Sequence, residues 1–425
     1  MTKIYKGNIL FTPTPDHFEI LENGCVVVGE QGKIEGVFAS LPEQYQNYTF
    51  IDYGSKLLIP GMYDLHVHAP QYRNQGMAMD LELLPWLQEY TFPEEANYAD
   101  AKYAQVAYQH FVDDLRRQGT VRAAVFATLH PEATKILAHL FHEAGMGAKI
   151  GLVGMNRNCP DNLRITTDEL VKHTKELMDE TADMPLVDAI ITPRFIPSCT
   201  PDMLEALGRL AKETGLPVQS HLSENKSEVA LVKELEPEAS CYGDAYFRYG
   251  LFGQTPTLMA HCCYTDGEEL ELMKQYNVFV VHCPTSNCNV ASGIAPIRKF
   301  LNEGVPVALG SDISGGHHLS IFRVMQYALQ VSKLLYAHTN GAQQFLTLSE
   351  VFYMGTKSGG SFFGKSGSFE VGYDFDALVI DDSELNRINY DLGREPYTLQ
   401  QRLERFIYLG DDRHIVARFC QGREL

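Results

Sequence analysis

Eight short β-branched runs, separated by stretches of helical periodicity, constrain this chain more than any other feature. They lie at 57 to 68, 120 to 128, 149 to 156, 188 to 197, 217 to 224, 257 to 264, 278 to 287 and 306 to 314. Between them stand amphipathic segments such as AKYAQVAYQHFVDDLRRQG and DELVKHTKELMDETAD. Strands alternating with helices in this way indicate βα units and a parallel sheet. Most runs end, rather than begin, in polar or titratable residues. A (β/α)8 barrel builds its active site at the carboxyl ends of its strands, so both the number and the asymmetry of the runs predict that fold.

The flanks carry a different pattern. GNILFTP and GCVVVGEQGKIEGVF near the start, and DALVID and RHIVARFCQGREL near the end, are short alternating runs broken by Gly, Pro and Asn, as antiparallel strands are. The expected division is therefore a composite β-sandwich domain from residues 1–58 plus 366–425, and a barrel catalytic domain over 59–365.

A formal charge of −19 repels phosphate backbones and anionic lipid, which argues against nucleic acid or a membrane as partner. No apolar run approaches the ~18 residues of a membrane span, and the first twenty residues lack a signal-peptide core, so a soluble, cytoplasmic protein is expected. Nine cysteines without a CxxC pair suggest neither a disulfide framework nor a thiolate zinc site. Cys262, Cys263, Cys283 and Cys288 read as small buried apolar residues.

The chemistry gathers at the strand ends. His66 and His68 stand two apart in one run, so both side chains share a face and can offer imidazoles to one metal. His221, His261 and Asp312 sit near the ends of the fifth, sixth and eighth runs, where a barrel brings them together. His66, His68, His221 and Asp312 make a ligand set for Zn2+, with Fe2+ equally able to accept it. A metal that activates water needs a proton carrier, and Glu224, three residues past His221, is placed for that role. The alternative for Glu224 is a solvated loop carboxylate or a cap of the helix that follows. With four ligands found, His261 is assigned to positioning and polarising the water. The sequence His130-Pro131-Glu132 begins a cytidine-deaminase signature, but no P-C-x-x-C follows it. Trp86 reads as core or pocket wall.

PGMYDLHVHAPQY, LPWLQEYTFPEE, TPRF, SHLSEN, MAHCCY, HCPTSN, LGSD and FIYLGDDR together resemble the guanine deaminases of the amidohydrolase superfamily, over nearly the whole chain. PWLQEYTFPEE and FIYLGDDR are the segments most particular to that family. The resemblance implies a metal-dependent barrel with a terminal β-sandwich, a homodimer, and conversion of guanine and water to xanthine and ammonia. It implies one zinc per chain on His66, His68, His221 and Asp312, with Glu224, His261 and Asp312 catalytic. The bridging Lys often found on the fourth strand in two-metal members is absent from DAIITPRF, which favours a single metal.

The resemblance also implies that Gln71, Arg194 and Phe195 hold the purine, together with His221 and Glu224. Pro70 departs from the more usual Ser. An Arg fork suits the adjacent acceptors O6 and N7 of guanine. The alternatives are a structural ion pair for Arg194, a loop hydrogen bond for Gln71 and a core position for Phe195. Rival readings of the chain are a deaminase or dehalogenase of another aminopurine, pyrimidine or triazine, and a non-catalytic scaffold that has kept the barrel.

Overall fold

A computed structural model describes all residues, 1–425, and the eight runs emerge in it as ten strand segments. They are β5 (Met62–His68), β6 (Thr120–Phe126), β7 (Gly147–Gly151), β8 (Val153–Gly154), β9 (Val187–Ala189), β10 (Thr192–Pro193), β11 (Val218–Leu222), β12 (Thr257–His261), β13 (Phe279–His282) and β14 (Val307–Leu309), numbered after four strands that precede them. The third and fourth runs are each interrupted once, giving β7 with β8 and β9 with β10. Pairing is parallel throughout, in the sheets β5-β6-β7-β9, β8-β10 and β11-β12-β13-β14.

Backbone contacts join these sheets. Ile191 bridges Val218 in parallel, and beyond β14 the amide of Asp312 donates to the His66 carbonyl at 2.8 Å while His68 donates to Ile313 at 3.1 Å. The hydrogen-bonded path therefore leaves β5, passes through β14 and returns to β5, an α/β architecture of the TIM-barrel type. Strands buried on both faces explain why the runs read as nearly continuous apolar sequence.

The connecting helices follow from spacing and caps. Ala101–Arg117 starts at Asp100, whose side chain accepts from the Lys102 amide, and ends in Arg116 and Arg117, which favour the negative end of the helix dipole. Its buried face, Ala104, Tyr108, Phe111, Val112 and Leu115, repeats at helical intervals and meets Phe141 of the helix Pro131–Ala144. The seventh run differs from expectation at its end. Pro284 cannot continue a ladder but suits a first helical turn, so Pro284–Asn289 is helical. On that helix Cys288 faces solvent, which corrects its reading as a buried residue, whereas Cys262, Cys263 and Cys283 are buried and all nine thiols are free.

The two ends of the chain meet in one seven-stranded sheet, where the sequence pattern suggests a sandwich. β1 (Lys3–Thr14), β2 (His17–Val28), β3 (Ile34–Phe38) and β4 (Thr49–Pro60) join β15 (Ala377–Ile380), β16 (Ile415–Cys420) and β17 (Arg423–Glu424) in the order β17-β16-β15-β4-β1-β2-β3. Irregularities in register between Gly7 and Ile9, and between Phe11 and Thr14, let the long β1 bend. Tyr5, Phe375 and Phe419 pack on this sheet, with ring centroids 4.5 and 5.1 Å apart from Tyr5. The tail also holds two helices that the strand reading passed over, Ser383–Asp391 and Leu399–Leu409. The second opens with a capping box between Thr398 and Gln401 and buries Leu399, Leu403, Phe406 and Ile407.

Candidate active site

β5 delivers His66 and His68 two residues apart, so both imidazoles enter the same interior space, with ring centroids 4.9 Å apart and planes nearly perpendicular. β11 and β12 pair with Leu222 opposite His261, which sets His221 and His261 side by side as stacked rings 5.4 Å apart. Asp312 follows β14. Its φ of 48° and that of His261, 73°, lie in the left-handed region that side chains rarely adopt. Strain of this kind persists where the surrounding packing fixes it, and both residues turn their side chains into the site at the point where their strands end.

The donor atoms converge. His68 Nε2 and His221 Nε2 lie 3.2 Å apart, and Asp312 Oδ1 is 3.3 Å from His66 Nε2 and 3.4 Å from His68 Nε2. His221 Nδ1 donates to the Arg194 carbonyl at 2.6 Å, which leaves Nε2 as a lone pair aimed inward. Burial, opposed only partly by Asp312, lowers the pKa of His66, and burial with the neighbouring imidazoles lowers those of His68 and His221 well below the ordinary histidine value. Burial thus biases the three rings toward the neutral form, the form that ligates metal. Burial alone would raise the Asp312 pKa, but the His66 imidazole and its neighbours outweigh it and lower that pKa. His66 Nε2 is buried without a hydrogen-bond partner. Facing lone pairs, an orphaned imidazole nitrogen and an ionised carboxylate fit a divalent cation, and these residues match a zinc donor set.

Glu224 lies just beyond β11 and is buried, so it is not a solvated loop group. The capping role belongs to its neighbours, because Asn225 accepts from Ser227 and Glu228 reaches back to the amides of Glu224 and Asn225. Burial raises the Glu224 pKa above the usual carboxylate range. Ser292 donates to its Oε1 at 2.9 Å, and its Oε2 stands 3.6 Å from His261 Nε2. Burial disfavours charge on His261, yet the carboxylates of Glu224 and Asp312 prevail and raise its pKa. His261 Nδ1 donates to Asn287 Oδ1 at 2.8 Å, which turns Nε2 toward Asp312 Oδ2, 3.7 Å away.

His68, His221, Glu224, His261 and Asp312 line a cleft. Leu83, Trp86, Leu87 and Val290 give it an apolar lining, and Gln71, Arg194, Phe195 and Ser286 line it as well. Of the residues assigned from the sequence to metal, substrate or catalysis, all but His66 line this cleft, His66 lies against His68 and Asp312, and Trp86 is pocket wall. The alternatives raised for two of them are partly realised. Arg194 does form an ion pair, its Nη1 donating to both oxygens of Glu95 at 3.0 and 2.7 Å, and Gln71 accepts from the Ser314 amide at 3.0 Å. Phe195 is half-buried, with its ring 6.3 Å from that of His221. Sequence reasoning missed Glu95 and Asn287, which orient Arg194 and His261. Both lie within segments that carry the family resemblance, FPEE and HCPTSN, so a signal existed.

Comparison with known proteins adds independent observations. Residues 57–425 match the model of the Amidohydrolase family. The chain is similar to the guanine deaminase of Dictyostelium discoideum, 37% identical with 100% of this chain and 98% of that protein covered. It is similar to the guanine deaminase of Escherichia coli (strain K12), 32% identical, covering 95% of this chain and 91% of that protein. A crystal structure of guanine deaminase from C. acetobutylicum, with guanine bound in its active site, superposes with a TM-score of 0.97 at 50% identity, covering 100% of both chains. By its donor cluster at the strand ends, its matched length and these likenesses, the chain belongs to the amidohydrolase family and, within it, to the guanine deaminases.

Proposed function

We propose that the chain hydrolyses guanine to xanthine and ammonia with one divalent metal, zinc in the first instance, held by His66, His68, His221 and Asp312. The observation that carries this reading is the cluster of buried imidazoles around Asp312, set in a partly apolar cleft beside an Arg whose remaining donors are free. A metal bound there would supply Lewis acidity and a water acidic enough to act as nucleophile near neutral pH.

The chain's own residues then have distinct tasks. Arg194 and Gln71 meet the polar edge of guanine while Phe195, Trp86 and Leu87 cover its faces, which fixes C2 near the histidines. Asp312 and His261 take up the proton released from water as it adds to C2. Glu224, a buried carboxyl with a raised pKa, delivers a proton to the ring nitrogen, is reprotonated through Asp312 and His261 by the water's protons as C2=O forms, and passes a proton to the amine, which leaves as ammonia. His261 next to Glu224 stabilises the charge that moves between them.

The same reading takes residues 59–365 as the barrel catalytic domain and residues 1–58 with 366–425 as a terminal β domain. It includes the homodimer that the family resemblance implies, open to sedimentation analysis, and the cytoplasmic location expected from the sequence. No helix is long and apolar enough to cross a membrane.

Ammonia release from guanine, adenine, 2-aminopurine, cytosine and a triazine, measured beside elemental analysis of the same protein, tests the proposal. Guanine should be turned over fastest, with about one metal per chain, and chelation should abolish the activity. Preference for another base, or a need for two metals, would overturn the substrate or the mononuclear reading respectively.

A further inference from the structure

Two adjacent glutamates close the segment PWLQEYTFPEE, and the catalytic scheme uses neither. A turn of helix, Phe92–Glu95, follows a π-helical turn at Leu87–Thr91, and consecutive positions on a helix point about 100° apart. Glu94 and Glu95 therefore face different surroundings, although both are buried. Glu94 accepts from Arg73 Nη1 at 2.8 Å, from Asn97 Nδ2 at 3.3 Å and from the Tyr103 hydroxyl, which pins the segment to its own neighbourhood.

Glu95 turns the other way. Its Oε1 accepts from both Gln71 Nε2 at 2.9 Å and Arg194 Nη1 at 3.0 Å, and its Oε2 accepts from Arg194 Nη1 at 2.7 Å. Phe92, three residues earlier, presents its ring 5.2 Å from the Arg194 guanidinium carbon. The guanidinium is thus fixed by a carboxylate and an aromatic ring from one short element. Its Nε and Nη2 make no hydrogen bond within the protein, while Arg194 lines the cleft.

We propose that Glu95 is a positioning residue that sets the specificity of the cleft, by holding Arg194 and Gln71 in one arrangement and by cancelling the charge of Arg194. The inference rests on guanine as substrate. A lone buried guanidinium would favour anions, whereas one paired to a carboxylate presents donors without net charge, as a neutral heterocycle requires. Pinning two long side chains before substrate arrives also removes an ordering cost from binding.

Glu95→Gln tests this. The amide is nearly isosteric, but it is uncharged and its NH2 cannot accept, so the second Arg194 contact is lost and the guanidinium is left without its counter-charge. Loss of a buried polar contact typically weakens kcat/KM about ten- to hundredfold, and here the change should fall mainly on KM for guanine, with metal content unchanged. Added to Arg194→Lys, the same substitution should cost less than about threefold, because residues acting as one unit are not additive. An unchanged KM with a lowered melting temperature, or full additivity of the two changes, would overturn the proposal. Should Glu95→Gln not fold, Glu95→Asp keeps the charge but withdraws it by one methylene. A raised KM supports the proposal and a wild-type KM overturns it. Failure of the wild-type protein to deaminate guanine would instead strike the functional reading itself.

Discussion

Glu224 shows how far a single residue can be read from its place in the chain. Three positions after a strand-end histidine, it could have been a surface carboxylate, yet it is buried against Ser292 and His261 with a raised pKa. Glu224→Gln keeps the size and the Ser292 contact but removes the proton carrier. Turnover of guanine should fall by ~10²- to 10⁴-fold while metal content stays the same, and near-normal turnover would return the residue to a structural role. Arg194→Lys keeps the charge but loses the fork, so kcat/KM for guanine should fall about ten- to hundredfold. Because Glu95 pairs with Arg194 and Lys can still reach a carboxylate, thermal stability should change little. A large drop in melting temperature with an intact kcat/KM would make the ion pair purely structural. At this scale the ligand histidines and Asp312 were legible because strand-end position and residue type agree. Glu95 was not, because adjacent acids on a helix usually mean a solvated face, and only the fold reveals what they meet.

Elements differ in how much local signal they carry. The eight runs were readable because each is buried on both faces, and the helix Leu399–Leu409 could have been read from Thr398 and Gln401 at its start. The loop after β11 depends instead on Glu228, four residues past Glu224 in the helix Lys226–Leu235. Glu228 Oε2 accepts from the amides of Glu224 and Asn225 at 3.0 and 3.1 Å, and Tyr242 donates to its Oε1 at 2.7 Å. Burial, with the charge of Glu224 second, raises the Glu228 pKa to about 7. A carboxyl whose pKa is higher folded than unfolded binds more protons in the native state. Its contribution to stability is therefore greatest at low pH and declines as pH rises from the ordinary Glu value toward about 7. Glu228→Gln removes that titration. The melting temperature of the wild type should fall more between pH 5 and pH 7.5 than that of the variant, and parallel curves would show that Glu228 does not titrate in this window.

The whole molecule is closed by contacts that no local pattern announces. Ala377 of β15 lies opposite Pro60 of β4, so the tail completes the sheet that the first strands begin, and separation along the chain leaves no trace of this pairing in either segment. What joins this sheet to the barrel is a buried cluster. Arg122 of β6 donates through Nε to Asp376 at 2.6 Å and through Nη2 to Asp374 at 2.8 Å, and the Tyr63 hydroxyl of β5 donates to Asp376. Asp376 also accepts from the Gln421 amide at 2.7 Å. Burial works against its charge, but Arg122 prevails and lowers its pKa below the ordinary carboxylate value. Removing one partner of such a pair leaves an uncompensated buried charge, which typically costs about 3–5 kcal/mol. Because Asp374 still pairs with Arg122, Asp376→Asn should destabilise the protein at pH 7 by less than that, about 1–3 kcal/mol, while the kcat/KM of folded enzyme stays near wild type, since the cluster lies outside the cleft. For a carboxylate with a depressed pKa the stabilisation is fully present above the unfolded value of about 3.9 and is lost as pH falls through the folded value. Urea unfolding should accordingly show a wide gap between wild type and variant at pH 7 and a narrower one at pH 3. A gap of equal size at both would mean that the charge of Asp376 contributes nothing and that Arg122 is held by Asp374 alone.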